Sequence, residues 1–142
     1  MKKIGLLIML TFGLISFSCK TSSTVTDFSK IKQTLETTQW ALQDENGNVK
    51  GLDNQNMVLS FRNEDGLTAH GFAGCNSYQT KVFLTPTNIN FSDIGSTKVY
   101  CPQINQENAY FDLLKQTNRY ELSGKTLSLF KDNLLLAKFK SL

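Results

Sequence analysis

The chain has 142 residues, 40% of them hydrophobic and 11% aromatic, with 15 basic and 12 acidic side chains and a formal charge of +3. That length suits one small domain, and 40% apolar content excludes an extended disordered polymer. Lys2 and Lys3 belong to the extreme N-terminus; without them 13 basic face 12 acidic groups, a formal +1, with no Lys/Arg cluster to neutralise a row of phosphates. Nucleic acid is therefore excluded as a natural partner.

Lys2 and Lys3 precede an apolar run, Ile4 to Phe17, of 14 residues. A bilayer-spanning helix needs about 20. A charged start, a short apolar stretch and then the small Ser18 describe a secretory signal over residues 1–18. Cys19 follows directly, and the arrangement resembles the lipobox of bacterial lipoproteins, where cleavage precedes a cysteine that is then acylated, palmitate included. Ser16 and Phe17 depart from its usual aliphatic and small residues. Two or more acyl chains hold a protein firmly on a membrane. Cys19 is thus the expected lipidation site, with the membrane as partner and the periplasm-facing bacterial envelope as location.

Residues 19–34 read as the lipidated tether. Lys20 to Thr26 are small and polar, and Phe28, Ile31 and Leu35 behind Asp27 have the spacing of a short helical turn. The globular domain is expected over residues 35–142. Trp40 and Leu42 fit a first strand with both side chains inward. Met57, Leu59 and Phe61 alternate with polar neighbours, and Asn63 to Gly66 form a turn before Leu67 to Phe72 returns. Val82 to Leu84 and Ile89 to Phe91 flank a hairpin turn at Thr85 to Asn88. Tyr110, Leu113, Leu114 and Thr117 are spaced as a helix, with Asn105 as its N-cap and Glu107 in the first turn. Three closing strands follow, with inward Tyr120 and Leu122, then Leu127 and Leu129, then Leu134, Leu136 and Phe139. Strands with a single helix predict an α+β domain: a small antiparallel, incompletely closed β-barrel with the helix across its opening.

The densest motif is Gly71-Phe72-Ala73-Gly74-Cys75-Asn76-Ser77-Tyr78, whose glycines suggest a strand ending in a tight corner. A second landmark is Ser96-Thr97-Lys98-Val99-Tyr100-Cys101-Pro102. Cys75 and Cys101 can form a disulfide, stay as buried thiols, or act as a redox pair. Once Cys19 is acylated they are an even pair in an oxidising compartment, which favours the disulfide.

Trp40-Ala41-Leu42, then Gly71, Gly74, Cys75, Asn76 and Tyr78, then Ser96, Thr97 and Cys101, then a helix beginning near Glu107, resemble in that order the META/HslJ-type domain family. Two positions depart from its usual pattern: Thr80 where a glycine is frequent, and Val99 where methionine is common. The resemblance implies a conical, open β-barrel with one helix, found in secreted proteins and bacterial lipoproteins linked to stress and envelope contexts. It implies no catalytic residues, metal or cofactor.

Catalysis has little material of its own. His70 is the single histidine, on a strand, so any general base would have to be that residue. A zinc site of His70, Cys75 and Cys101 lacks close ligand spacing and a fourth protein ligand. The expected function is a non-enzymatic envelope lipoprotein that binds a protein or small molecule. A protease-inhibitor-like role through Thr85–Asn88 or Lys131–Asn133 is the second reading, and an enzyme using His70 the third.

Overall fold

The computed structural model describes residues 24–142. The expected signal segment and the expected lipidation site, Cys19, lie outside the described residues. The elements in order are α1 (Thr24–Thr37), β1 (Gln39–Asp44), β2 (Gly47–Asn48), β3 (Val58–Asn63), β4 (Leu67–Phe72), β5 (Ser77–Leu84), β6 (Ile89–Ser96), α2 (Ile104–Gln116), β7 (Arg119–Ser123), β8 (Thr126–Lys131) and β9 (Leu134–Ser141). All pairings are antiparallel. The sheet has nine strands in the order β6-β5-β4-β3-β1-β9-β8-β7, with β2 added to β1.

The sheet curls into a barrel that no ladder closes. Its end strands, β6 and β7, meet only where β6 begins: the Ile89 N–H donates to the Asn118 carbonyl at 3.4 Å. The Asn88 side chain reaches the same carbonyl at 3.1 Å. Further along, α2 packs against β6 and fills the gap. Its inner face carries Glu107, Tyr110 and Leu114, with Thr117 just beyond, at the spacing that a 3.6-residue period demands. Trp40, Leu59, Ile89, Leu114, Leu127, Leu129 and Phe139 are at most 1% exposed and form the centre of one core.

Three details differ from the sequence expectations. A second helix is present, because the turn around Phe28 extends to the 14-residue α1. Leu35 is buried in the core and Ile31 packs on it, so tertiary contact supports a helix whose polar N-terminal residues gave little signal. α2 starts two residues earlier than an Asn105 cap requires: Gln103 holds the cap position without a side-chain bond. The Ile104 N–H instead bonds to the Cys101 carbonyl at 3.2 Å, tightening the entry turn. On β9 Phe139 faces inward as expected, but a register shift opposite Leu129 and Phe130 takes Leu134 out of the inward set. Ala137 and Phe139 are buried, while Leu134 is 65% exposed.

A bulge on β6 positions the candidate site. The register slips between Gln79 and Lys81, and Asp93 sits in the left-handed region at φ 54°. Ile89 and Phe91 face inward before the bulge; Ile94 and Ser96 take over after it. The Thr80 hydroxyl donates to the Ser92 carbonyl at 2.7 Å, satisfying a group freed by the slip. Thr80 therefore has a structural purpose at the position where the family pattern favours glycine.

Candidate functional site

The Gly-Cys-Asn segment is a corner built by close backbone approach. Ala73 N–H bonds to the Asn76 carbonyl at 2.9 Å, and Gly74 adopts φ +104°. The Leu52 N–H donates to the Gly74 carbonyl at 2.7 Å. A Cβ on Gly51 would stand 2.1 Å from that carbonyl oxygen, so two main chains are stacked where a side chain has no room. Gly71 serves the same purpose one strand over, since a Cβ there would lie 1.9 Å from the Val58 oxygen. That oxygen accepts the Tyr78 hydroxyl at 3.1 Å, and the Tyr110 hydroxyl lies 2.8 Å from Tyr78 Oη. A phenol has one proton. With Tyr78 donating to Val58, Tyr110 is the donor between the pair. Burial raises the pKa of both phenols, and for Tyr78 the adjacent Tyr110 raises it further.

Beyond the corner, Asn76 is 2% exposed and Glu107 3% exposed. The Asn76 backbone N–H donates to Glu107 Oε2 at 2.6 Å, and its side-chain amide to Oε1 at 3.1 Å. The same amide nitrogen reaches the Val99 carbonyl at 3.0 Å. Its oxygen accepts the Thr97 hydroxyl at 2.7 Å and the Val99 N–H at 2.8 Å. One asparagine thus holds α2 on one side and the segment leading to it on the other.

A covalent link lies next to this latch. Cys75 and Cys101 form a disulfide, with their Cα atoms 6.0 Å apart. Both are buried, at 5% and 2% exposed. The two sulfurs are bonded and are not a pair of buried free thiols. A zinc site with His70 is ruled out, because both sulfurs are bonded to each other.

Between the bulged half of β6 and α2 lies a cleft of about 360 Å³. Ile94, Ile104 and Phe111 give it an apolar floor; Ser96, Asn108, Lys98 and Lys115 are its polar lining, and Tyr100 stands at its edge. Tyr100 is 90% exposed and Val99 54% exposed, an unusual amount of apolar surface for a segment pinned at both ends. Asn76, Thr97 and Glu107 also border the cleft, but their polar atoms point into the latch. Among the motif residues, Ser96 alone presents a hydroxyl to the cleft without a bond to the latch.

His70 lies elsewhere, opposite Ser60 and Gln79 on the outer side of the sheet. It borders a shallow hollow with Arg62, Glu64 and Thr68. Partial burial and the nearby Arg62 cation lower its pKa, with Glu64 opposing them. Arg62 pairs with Glu64 at 3.6 Å, and among the described residues no hydrogen bond joins His70 to a carboxylate.

Sequence reading missed Gly51, Asp93 and Asn118, and met Thr80 only as a departure from the family pattern. Of the three, Gly51 and Asn118 carried a signal: a glycine and an asparagine between elements. Asn118 cross-braces two loops, exchanging side-chain bonds with Asp132 Oδ1 at 2.8 Å and Asp132 N–H at 2.7 Å while its carbonyl accepts from Asn88.

An open antiparallel barrel, plugged by one helix and latched through a Gly-Cys-Asn corner, defines a class of small β-barrel domain. Residues 33–141 match the META domain family, and the chain belongs to it. META is not a known enzyme family. No curated protein matches the chain closely enough to count as a relative. Two solved structures share the fold. One is an NMR structure of a protein from Burkholderia xenovorans, 24% identical, with TM-score 0.62 over 80% of this chain and 87% of that one. The other, also an NMR structure, is 20% identical, with TM-score 0.58 over 76% of this chain and 92% of its own.

Proposed function

We propose that this protein is an exported, lipid-anchored component of the bacterial envelope, and that its META domain is a non-catalytic binding module using the cleft between β6 and α2. One observation carries the binding reading. The buried polar residues beside the cleft are saturated by one another, with Asn76 and Glu107 joined twice, while the cleft has an apolar floor and Lys98 at its rim, Lys115 there being paired with Asp112 at 3.4 Å. Such a wall holds a shape and leaves the recognition to the exposed lining. The disulfide supports an oxidising location.

Two measurements test this. Mass spectrometry of the membrane fraction is expected to find a mature N-terminus at an acylated Cys19, lost in Cys19→Ala. Titration with anionic peptides and anionic amphiphiles, followed by NMR, is expected to shift Ile94, Tyr100 and Phe111, with Lys98→Glu weakening binding. A saturable hydrolytic activity removed by a single substitution would reject the non-catalytic assignment.

A second reading, a protease-inhibitor-like module, is favoured by the bracing of Thr85–Asn88 and Lys131–Asn133 through Asn118. Rigid exposed loops suit that role, and Tyr120 adds bonds to the Thr85 and Pro86 carbonyls at 3.1 and 3.3 Å. Inhibition of a serine or cysteine protease, abolished by Asn118→Ala, would establish it. No slowing across a broad protease panel would dismiss it.

A further inference from the structure

We infer that the corner where α1 meets the end of β5 is a lipid-seating face, on which the domain lies against the bilayer. This rests on the reading that Cys19 is acylated and adds an orientation to it.

The outward side chains of β5 run Ser77, Gln79, Lys81 and then Phe83. Polar residues hold the first three positions, as a solvated strand face requires. Phe83 breaks that series and is 66% exposed. Beside it, Phe28 of α1 joins Leu67, Val82 and Leu84 around an apolar hollow of about 230 Å³. Lys32 borders the hollow, with its ammonium 3.9 Å from Glu36. Its stem can cover apolar surface while the charge stays in water or among headgroups. The β8–β9 turn is tied to the neighbouring hairpin through Asn118, and Leu134, 65% exposed, follows that turn.

Tether length selects the lipid surface as the occupant. Thr24 begins α1, and any chain joining Cys19 to it reaches at most about 18 Å. A domain of this size is roughly 30 Å across, from its expected radius of gyration. A tether shorter than the domain does not let it tumble freely. It keeps the start of α1, one turn from Phe28, close to the headgroups. An exposed aromatic beside an apolar hollow then gains burial in the interface.

The test uses the full-length acylated protein in vesicles of phosphatidylethanolamine and phosphatidylglycerol whose acyl chains are brominated. Phe83→Trp is compared with Val99→Trp, each corrected for the Trp40 emission of the parent. Val99 is held by Asn76, at the opposite end of β5, roughly 20 Å away at the rise of a strand. Bromolipid quenching is expected to be severalfold stronger at position 83 than at 99, and Phe28→Trp should report the same contact from the helix. Equal quenching at 83 and 99 in protein of confirmed acyl mass would overturn the seat while leaving the anchor standing. Absence of the acyl mass would overturn both.

Discussion

Asn76 and Glu107 lie 31 positions apart in the chain and meet in the interior through two hydrogen bonds, of 2.6 and 3.1 Å. The carboxylate is 3% exposed and stands in the first turn of α2, where the helix dipole favours negative charge. That contact, with the disulfide beside it and the Tyr78–Tyr110 pair further along, holds α2 against the opening of the barrel.

Removing the amide takes one of the two donors to Glu107, leaving the Asn76 backbone N–H in place, and leaves Thr97 and Val99 without their acceptor. Asn76→Ala is therefore expected to lower stability by about 1–3 kcal/mol, the range for leaving buried polar groups unpaired. Glu107→Gln keeps the shape but sets an amide donor against the Asn76 donors, at a cost of about 1–3 kcal/mol. Urea unfolding with an unchanged slope checks both. A loss under about 1 kcal/mol for Asn76→Ala would show the latch to be ornamental.

The Tyr78–Tyr110 pair makes stability depend on alkaline pH. Burial raises both phenol pKa values above their usual level. Below about pH 10 each phenol is protonated in folded and unfolded chains alike, so their contribution is complete. As pH rises further, the unfolded chain releases protons that the folded chain retains, and stability falls through the folded pKa values. Tyr110→Phe should lose about 1 kcal/mol at neutral pH yet decline less steeply above pH 10. Urea midpoints measured across that range decide the matter; parallel curves would refute it.

Glycine substitutions separate crowding from mere flexibility. Gly71→Ala would drive a methyl group to 1.9 Å from the Val58 oxygen and displace the acceptor of Tyr78. A cost of about 3 kcal/mol or more is expected, at the upper end for overpacking. A Cβ on Gly95 meets nothing within 4 Å. Gly95→Ala should stay within about 0.5 kcal/mol of the parent. Thermal unfolding of the two variants side by side is the measurement.

Reduction of the Cys75–Cys101 bond should destabilise the domain by about 3.5 kcal/mol, the chain-entropy value for closing a loop across 26 positions. The Cys75→Ala/Cys101→Ala double variant should show the same loss and no further response to dithiothreitol. Asn76 still holds Val99 in that variant, so it is expected to fold and to unfold at lower urea. An unchanged midpoint on reduction would mean that the hydrogen-bonded latch alone fixes the loop.

Much of the architecture was legible in the chain because periods of two and 3.6 are written by near neighbours. Met57, Leu59 and Phe61 announce β3, and Tyr110 and Leu114 announce α2, since each pattern is read within a few residues. The same is true of the tight corner at Gly71 and Gly74. The even count of interior cysteines favoured the pairing of Cys75 with Cys101, which the structure contains. Only the tertiary structure decided the rest. The full length of α1 depends on Leu35 finding the core, and the inward set of β9 on a register shift against β8. The cleft depends on a bulge at Asp93, for which the flanking residues carry no periodic sign. Glu107 looked like a helix-start carboxylate, and Asn76 like a turn residue; each is a reasonable local reading. That they complete one another follows from a distance of a few ångströms, which folding creates between groups that sequence keeps far apart.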